Sequence, residues 1–336
     1  MHSDEWTAGV GGTGPDDGRL PAVGTQLGPW ALELRAAAND RYWEGAGIDH
    51  PARRAGVLYP PLAANLLIVA LQRICDEPLL HLGQRLRTRA AATAPARLRV
   101  TGSVRRRWEH RGREHLEIAA EVVVQDVAGV AGGVAGQART GVVDEVVDGA
   151  HGPGTLLWEA SAHFCTVRRR PAPGGARVSR GGDGSATDGG TGDAQVRDAA
   201  AERAGAAGGV EVRQRSLQLG LDLLRAYSRR GNFHSEPEIA ARLGYPAPVA
   251  QGMQVAAPAY GLLLDVWGET LLRDAEVTWA FHRPVLAGQT VDARVHLGAD
   301  TASFTVRLAG EAGTPGANGP AVTGRARPHP DRPERP

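Results

Sequence analysis

The stretch 225–252, RAYSRRGNFHSEPEIAARLGYPAPVAQG, holds the residues whose types and spacing can do chemistry. His234 carries an imidazole whose unperturbed pKa of ~6.5 suits proton transfer in both directions. Asn232, two residues earlier in an extended loop, points the same way and can hold a water or orient the ring. Ser235 reads as a helix N-cap, with Pro237 in the first turn and Glu238 completing an S-x-x-E capping box. That would pin His234 just outside a rigid helix. Gly252 opens a long apolar helix, where its bare N–H, at the positive end of the helix dipole, suits a developing oxyanion. Each residue also has a plainer role. His234 can be a loop histidine capping a helix, Asn232 can serve a left-handed turn, and Gly252 can let the helix pack closely on a sheet.

The elements around this stretch occur twice. The first segment runs from an amphipathic LELRAAANDRYWEGAG (Leu32, Leu34, Ala38, Tyr42) through the loop GIDHPARRAGVLYPP to the apolar helix LAANLLIVALQRI. The second runs from LQLGLDLLRAYS through the loop RRGNFHSEPE, a small helix IAARLG and the loop YPAPVAQG to the helix MQVAAPAYGLLLDVWG. After each apolar helix the period switches to two. LRVTGSVRRRWEH, REHLEIAAEVVVQ, QARTGVVDEVV and TLLWEASAHFCTVRRR follow the first, and AEVTWAFHRPV, QTVDARVHLG, TASFTVRLAG and PAVTGRARP follow the second. These predict strands of an antiparallel sheet with one face covered. A helix followed by a meander, twice, implies an α+β fold in which each sheet wraps its own helix and the two copies pack as a pseudo-dimer.

Composition sets the limits. Lys+Arg 38 against Asp+Glu 37 leaves a net charge of +1, so no electrostatic footprint for nucleic acid is expected. All the cations are Arg, which removes Schiff-base and P-loop lysine chemistry. Cys75 and Cys165 match no metal-ligand spacing and read as buried thiols in a reduced cytoplasm. The N-terminus lacks a basic start followed by an apolar stretch, and the longest apolar run, Leu66 to Leu71, is far short of the ~20 residues that span a bilayer. The expectation is a cytoplasmic protein without membrane association. Residues 1–27 and 329–336 read as disordered tails. Residues 171–210, with 11 glycines and no Leu, Ile or aromatic residue, read as a flexible linker. The folded units are then 28–170 and 211–328.

YSRRGNFHSEPEIAARLGYPAPVAQGM, followed by FHRPVLAGQTV, resembles the MaoC-like dehydratases, or R-specific enoyl-CoA hydratases, of the hot-dog fold. His234 matches the histidine of their signature, Ser235-Glu236-Pro237 the segment after it, Ala250-Gln251-Gly252 the helix entry and Pro284 to Thr290 the later strand turn. The first segment resembles a degenerate copy. With Pro51 in place of the signature proline, the histidine position falls at Arg53 and the aspartate position at Ile48. The resemblance therefore implies a double hot-dog chain with one catalytic half, which hydrates and dehydrates acyl thioesters of the 2-enoyl/3-hydroxyacyl type. It implies His234 as general acid/base with Asn232 beside it, Gln251, Gly252 and Arg283 as substrate contacts, and neither metal nor cofactor. The substrate would arrive as an acyl-CoA or acyl-carrier-protein thioester, and a homodimer or a heteromer with a related subunit is compatible with it.

The chain departs from the signature where its aspartate should stand. Arg229 and Gly231 hold the signature's Asp and Asn positions, and no Asp or Glu occurs from 223 to 233. Glu236 is the nearest carboxylate, better suited to a first-turn helix charge. Two alternatives follow. A non-catalytic acyl-CoA-binding or scaffold subunit fits the lost aspartate. A hot-dog thioesterase needs a carboxylate on the central helix, where only Asp265, near its far end, is available. The pair Asp49–His50 lies in the degenerate loop, and the runs Arg105–Arg107 and Arg168–Arg170 read as solvated strand faces.

Overall fold

The computed structural model describes residues 20–75, 77, 79–125, 154–167, 211–228, 231–310 and 319–328. The linker at 171–210, the tail at 329–336, the strand expected in QARTGVVDEVV and Arg168–Arg170 lie outside them. Among the described residues ten strands form one antiparallel sheet: β1 (Gln26–Leu34), β2 (Leu79–Thr88), β3 (Ala96–His110), β4 (Arg113–Gln125), β5 (Gly154–Thr166), β6 (Glu211–Gln218), β7 (Ala275–Phe281), β8 (Thr290–Leu297), β9 (Ala302–Leu308) and β10 (Val322–Pro328). The helices are α1 (Ala36–Gly45), α2 (Pro51–Arg54), α3 (Leu62–Gln72), α4 (Leu221–Tyr227), α5 (Pro237–Arg242), α6 (Gly252–Trp267) and α7 (Glu269–Arg273). None of them is long and apolar enough to cross a membrane.

Strand order exposes the repeat. It runs β1-β3-β4-β5-β2 and then β7-β10-β9-β8-β6, so each half places its own strands as first, third, fourth, fifth and second, in mirrored sequence about the centre. The halves join through their second strands, β2 and β7, paired from Gly83↔Ala280 to Arg87↔Glu276. This is the arrangement of two hot-dog units fused edge to edge.

Each half wraps its apolar helix. On α3 the buried set is Leu62, Ala63, Ala64, Asn65, Leu66, Leu67, Ala70 and Leu71, and on α6 burial is continuous from Met253 to Leu264. Such all-round burial is expected of helices enclosed by sheet on one side and partner elements on the other. Between the halves, α1 packs on α4. A methyl group on Gly45 would lie 2.7–2.8 Å from the Tyr227 backbone, so only glycine permits that approach. Gln254, fully buried on α6, donates to the carbonyls of Gly45 (2.8 Å) and Leu223 (2.9 Å) and ties the central helix to both halves.

Three strands are missing from the sequence reading, two at the outer edges and one at the join. Leu32 and Leu34 continue a period-two run with buried Trp30 in β1, paired to β3, and α1 begins only at Ala36. Of the expected tail, the described residues 20–27 include Leu20 and Leu27, and both are buried. Likewise Leu217 belongs to β6, a largely exposed edge strand, and the helix after it starts at Leu221. β2 is the third.

Candidate active site

Between the halves lies a cavity of about 740 Å³. His234, Asn232, Gln251, Gly252 and Arg283 all stand on its wall. The opposite wall comes from the first half: Asn65, Ile68, Val69 and Gln72 of α3, the following Cys75 and Glu77, and Leu79 to Leu82 of β2.

The loop that carries His234 is held by short-range bonds that the sequence encodes. Asn232 Oδ1 accepts the His234 backbone N–H at 2.8 Å, an Asx turn, and the Asn232 amide meets Ser228 Oγ at 3.3 Å. Its Oδ1 thus meets the loop backbone and lies 3.3 Å from the Ser228 hydroxyl, while the ring's own Nδ1 partner is elsewhere. Gln251 Nε2 donates to the same Ser228 Oγ at 3.1 Å, so the helix entry and the histidine loop share one hydroxyl. The capping box does not form. Glu236 is the N-cap of α5, with Pro237 at the first position, while the fully buried Ser235 turns its hydroxyl back to the Asn232 carbonyl (3.3 Å). Glu236 reaches the Gly231 N–H (3.4 Å) and Arg225 (4.0 Å) and does not line the cavity.

His234 Nδ1 lies 2.6 Å from the Val249 carbonyl. A carbonyl only accepts, so the proton of the neutral ring sits on Nδ1 and the Nε2 lone pair is left over. Burial pushes the pKa down to about 4 against the opposing pull of that carbonyl, so the ring is a neutral base at pH 7 and not the evenly poised group its ordinary value suggests. The Val249 carbonyl is itself fixed. Ala250 N–H donates to Val285 O and Ala287 N–H to Pro248 O, both at 2.8 Å, while Val249 N–H donates to Phe233 O at 3.1 Å. The PVLAGQT turn therefore backs the strand segment that orients the imidazole, with Gly288 at φ +87° and Gln289 Oε1 taking the Leu286 N–H.

Gly252 is the first residue of α6, and its N–H is one the helix itself cannot satisfy. A methyl group there would stand 2.8–3.1 Å from the Phe281 ring, so close packing is one reason for the glycine. Among the described residues of the first half, no histidine takes the place of His234. Pro51 and Pro237 both open the short helix before the central one, so the counterpart of His234 is Ile48, not Arg53. Ile48 is buried, and Arg53 makes a two-bond ion pair with Asp40 (2.6 and 3.0 Å). His50 Nδ1 accepts the Ala52 N–H at 3.1 Å as the cap of α2, and Asp49 pairs with Arg54 at 2.7 Å. Asp265 bonds Arg215 at 2.7 Å and is absent from the cavity wall. Neither Cys75 nor Cys165 is in a disulfide, and both are buried. Of the arginine run, Arg106 lies over the Trp108 ring, Arg107 pairs with Glu114 (2.6 Å) and Arg105 is exposed.

Sequence reasoning missed the first half's share of the wall, above all His81. It lies in LLHLGQRLRT, the counterpart of the AEVTWAFHRPV strand in the second copy, so the internal repeat was the signal that marks it.

The sheet and its two central helices define a double hot-dog protein. No family model and no curated protein matches the sequence. Solved structures do match across most of it. A MaoC-like dehydratase from Phytophthora capsici is 12% identical over 94% of this chain and 98% of its own, with a TM-score of 0.60. HtdX of Mycobacterium tuberculosis is 13% identical over 89% and 97%, at 0.57. Rv0216 of the same organism, described as having a double hot-dog fold, is 14% identical over 92% and 96%, at 0.52. At these identities the likeness is one of fold.

Proposed function

We propose that the protein adds water reversibly to 2-enoyl thioesters, with His234 as the acid/base. The observation that carries this is the Nδ1–H bond from His234 to Val249, which leaves the Nε2 lone pair of a neutral base on a cavity shared with the free first-turn amide of α6. With the thioester oxygen at the Gly252 N–H, water attacks Cβ and gives a proton to Nε2. The C–O bond forms as the π pair moves toward the thioester, and the imidazolium returns that proton to Cα. Positive charge on His234 is thus transient, and negative charge on the oxygen is met by the helix dipole. A lost donor at such a position costs ~3–4 kcal/mol of transition-state stabilisation. Asn232 and Gln251 act as positioning residues through Ser228, Arg283 stands on the wall as a contact for the substrate, and the apolar residues of α3 suit an acyl chain. The carrier, coenzyme A or acyl carrier protein, comes with the substrate.

The test follows loss of enoyl absorbance on short, medium and branched 2-enoyl-CoAs, with His234→Ala beside the wild type. Turnover that the substitution abolishes supports the reading, and no turnover on any of them overturns it. The alternative of a non-catalytic acyl-binding subunit is favoured by one observation, the lack of a carboxylate in the loop from 223 to 233. Acyl-CoA binding without turnover would select it. A thioesterase is disfavoured by the position of Asp265.

A further inference from the structure

The loop around His234 lacks the acidic partner that two-group hydration would use, yet the cavity holds a second imidazole. His81 enters from β2, across the join between the halves. Its position is built. The β2–β5 register slips between His81 and Gly83, placing a bulge beside the cavity, and the β2–β7 ladder stops at Gly83↔Ala280. Bulges re-aim side chains next to functional sites. The ring is then fixed between two phenylalanines. It stacks on Phe164 (4.9 Å between ring centres, 22° between planes) and tilts over Phe281 (4.7 Å). Phe281 in turn packs on Gly252, so His81, Phe281 and the start of α6 form one stack.

The polar atoms of this ring are not used up in packing. Nε2 is buried and meets no hydrogen-bond partner among the described residues, on a residue that lines the cavity. The neutral ring carries one N–H and one lone pair, so one of its nitrogens can accept, and the neighbouring Gly83 backbone and Gln84 side chain act against the downward push of burial. Burial pushes the pKa down to about 4, and the charges of His163 and His234 press the same way. His81 is therefore neutral at pH 7 and shares the wall of one cavity with His234. Glu77, the only carboxylate among the described wall residues, is not among the charges acting on either imidazole.

We propose that His81 is a second catalytic residue, supplied by the half that lacks the signature, which accepts one hydrogen of the water whose other proton passes to His234. A water held by two acceptors has its lone pair directed at Cβ, the geometry that attack requires. The proton balance is unchanged. His234 takes and returns the one proton that moves, while His81 gains and loses none. In the reverse direction the same nitrogen holds the departing hydroxyl.

The inference rests on the hydration reading, and one set of variants separates the two. His81→Phe keeps the aromatic stack and removes the acceptor. His81→Asn and His81→Gln restore an acceptor near one or the other ring nitrogen's place. Expected is a fall in kcat of ~10–100-fold in His81→Phe, with acyl-CoA affinity by calorimetry and the melting temperature within error of wild type. At least one amide variant should recover part of the lost kcat. Should His81→Phe turn over at the wild-type rate while His234→Ala is dead, the inference fails and the hydration reading stands. Loss of acyl-CoA binding in all three variants, or a loss of kcat in Glu77→Gln with none in His81→Phe, would also overturn it. A wild type without turnover removes both.

Discussion

On the proposed hydration His234 serves as a base only while neutral, and burial sets where that ends. With its pKa near 4 instead of the ordinary ~6.5, the acid limb of kcat/KM should fall near pH 4, and activity at pH 5.5 should match that at pH 7. A limb near 6.5 would mean a solvated imidazole. His234→Ala should lower kcat by ~10²–10⁴-fold. Asn232→Ala removes the acceptor of the His234 N–H, a bond worth ~0.5–1.5 kcal/mol. It should lower kcat about tenfold while leaving the acid limb in place, because the ring's own partner, the Val249 carbonyl, is untouched. A shifted limb would place Asn232 on the imidazole itself.

The helix entry of α6 is a packing joint as well as an oxyanion candidate. Gly252→Ala drives a methyl group into Phe281, whose ring is held against His81, so neither can yield freely. Overpacking of this kind costs ~1–3 kcal/mol and should show as a lower melting temperature together with lost turnover. Adding Phe281→Leu should restore much of the stability. Deeper in the same helix, Gln254→Ala strips the donor from two buried carbonyls, at ~1–3 kcal/mol. Denaturant unfolding should register that loss at unchanged slope.

At the scale of the molecule, neither half contains the whole cavity, because one wall belongs to each and β2 pairs with β7 across the centre. Fragments 1–167 and 168–336, co-expressed, should copurify and recover turnover, whereas either alone should have none. Stability against pH follows from three imidazoles, His81, His163 and His234, all depressed to about 4 by burial. The folded protein keeps them neutral while the unfolded chain protonates them below ~6.5. Their contribution is therefore complete above that pH and is lost as pH falls from ~6.5 to 4. The melting temperature should be flat above pH 7 and drop across that window. The paired carboxylates Asp40 and Glu276, both lowered by arginines, begin to add their losses at pH ~5, at the low end of that window, and continue below it.

Much of this was legible in the residues. Period-two runs with apolar alternation gave most of the strands, all-round apolar stretches gave α3 and α6, and their recurrence gave the duplication, because these patterns are local consequences of which face is buried. The loop at 231–237 was legible in type but not in detail. Ser235 and Glu238 satisfy the spacing of a capping box, yet the Asx turn at Asn232 claims the backbone first and shifts the cap to Glu236. The edge strand β6 was hidden because its residues are mostly exposed and it exists only by pairing with β8. The sequence by itself determined the two α+β units, the histidine and the glycine-opened helix. Tertiary structure alone decided that β2 and β7 meet, which puts His81 and His234 on the wall of one cavity and buries both rings. Such proximity depends on residues far apart in the chain, and a pKa on the solvent they exclude, so no local spacing carries either.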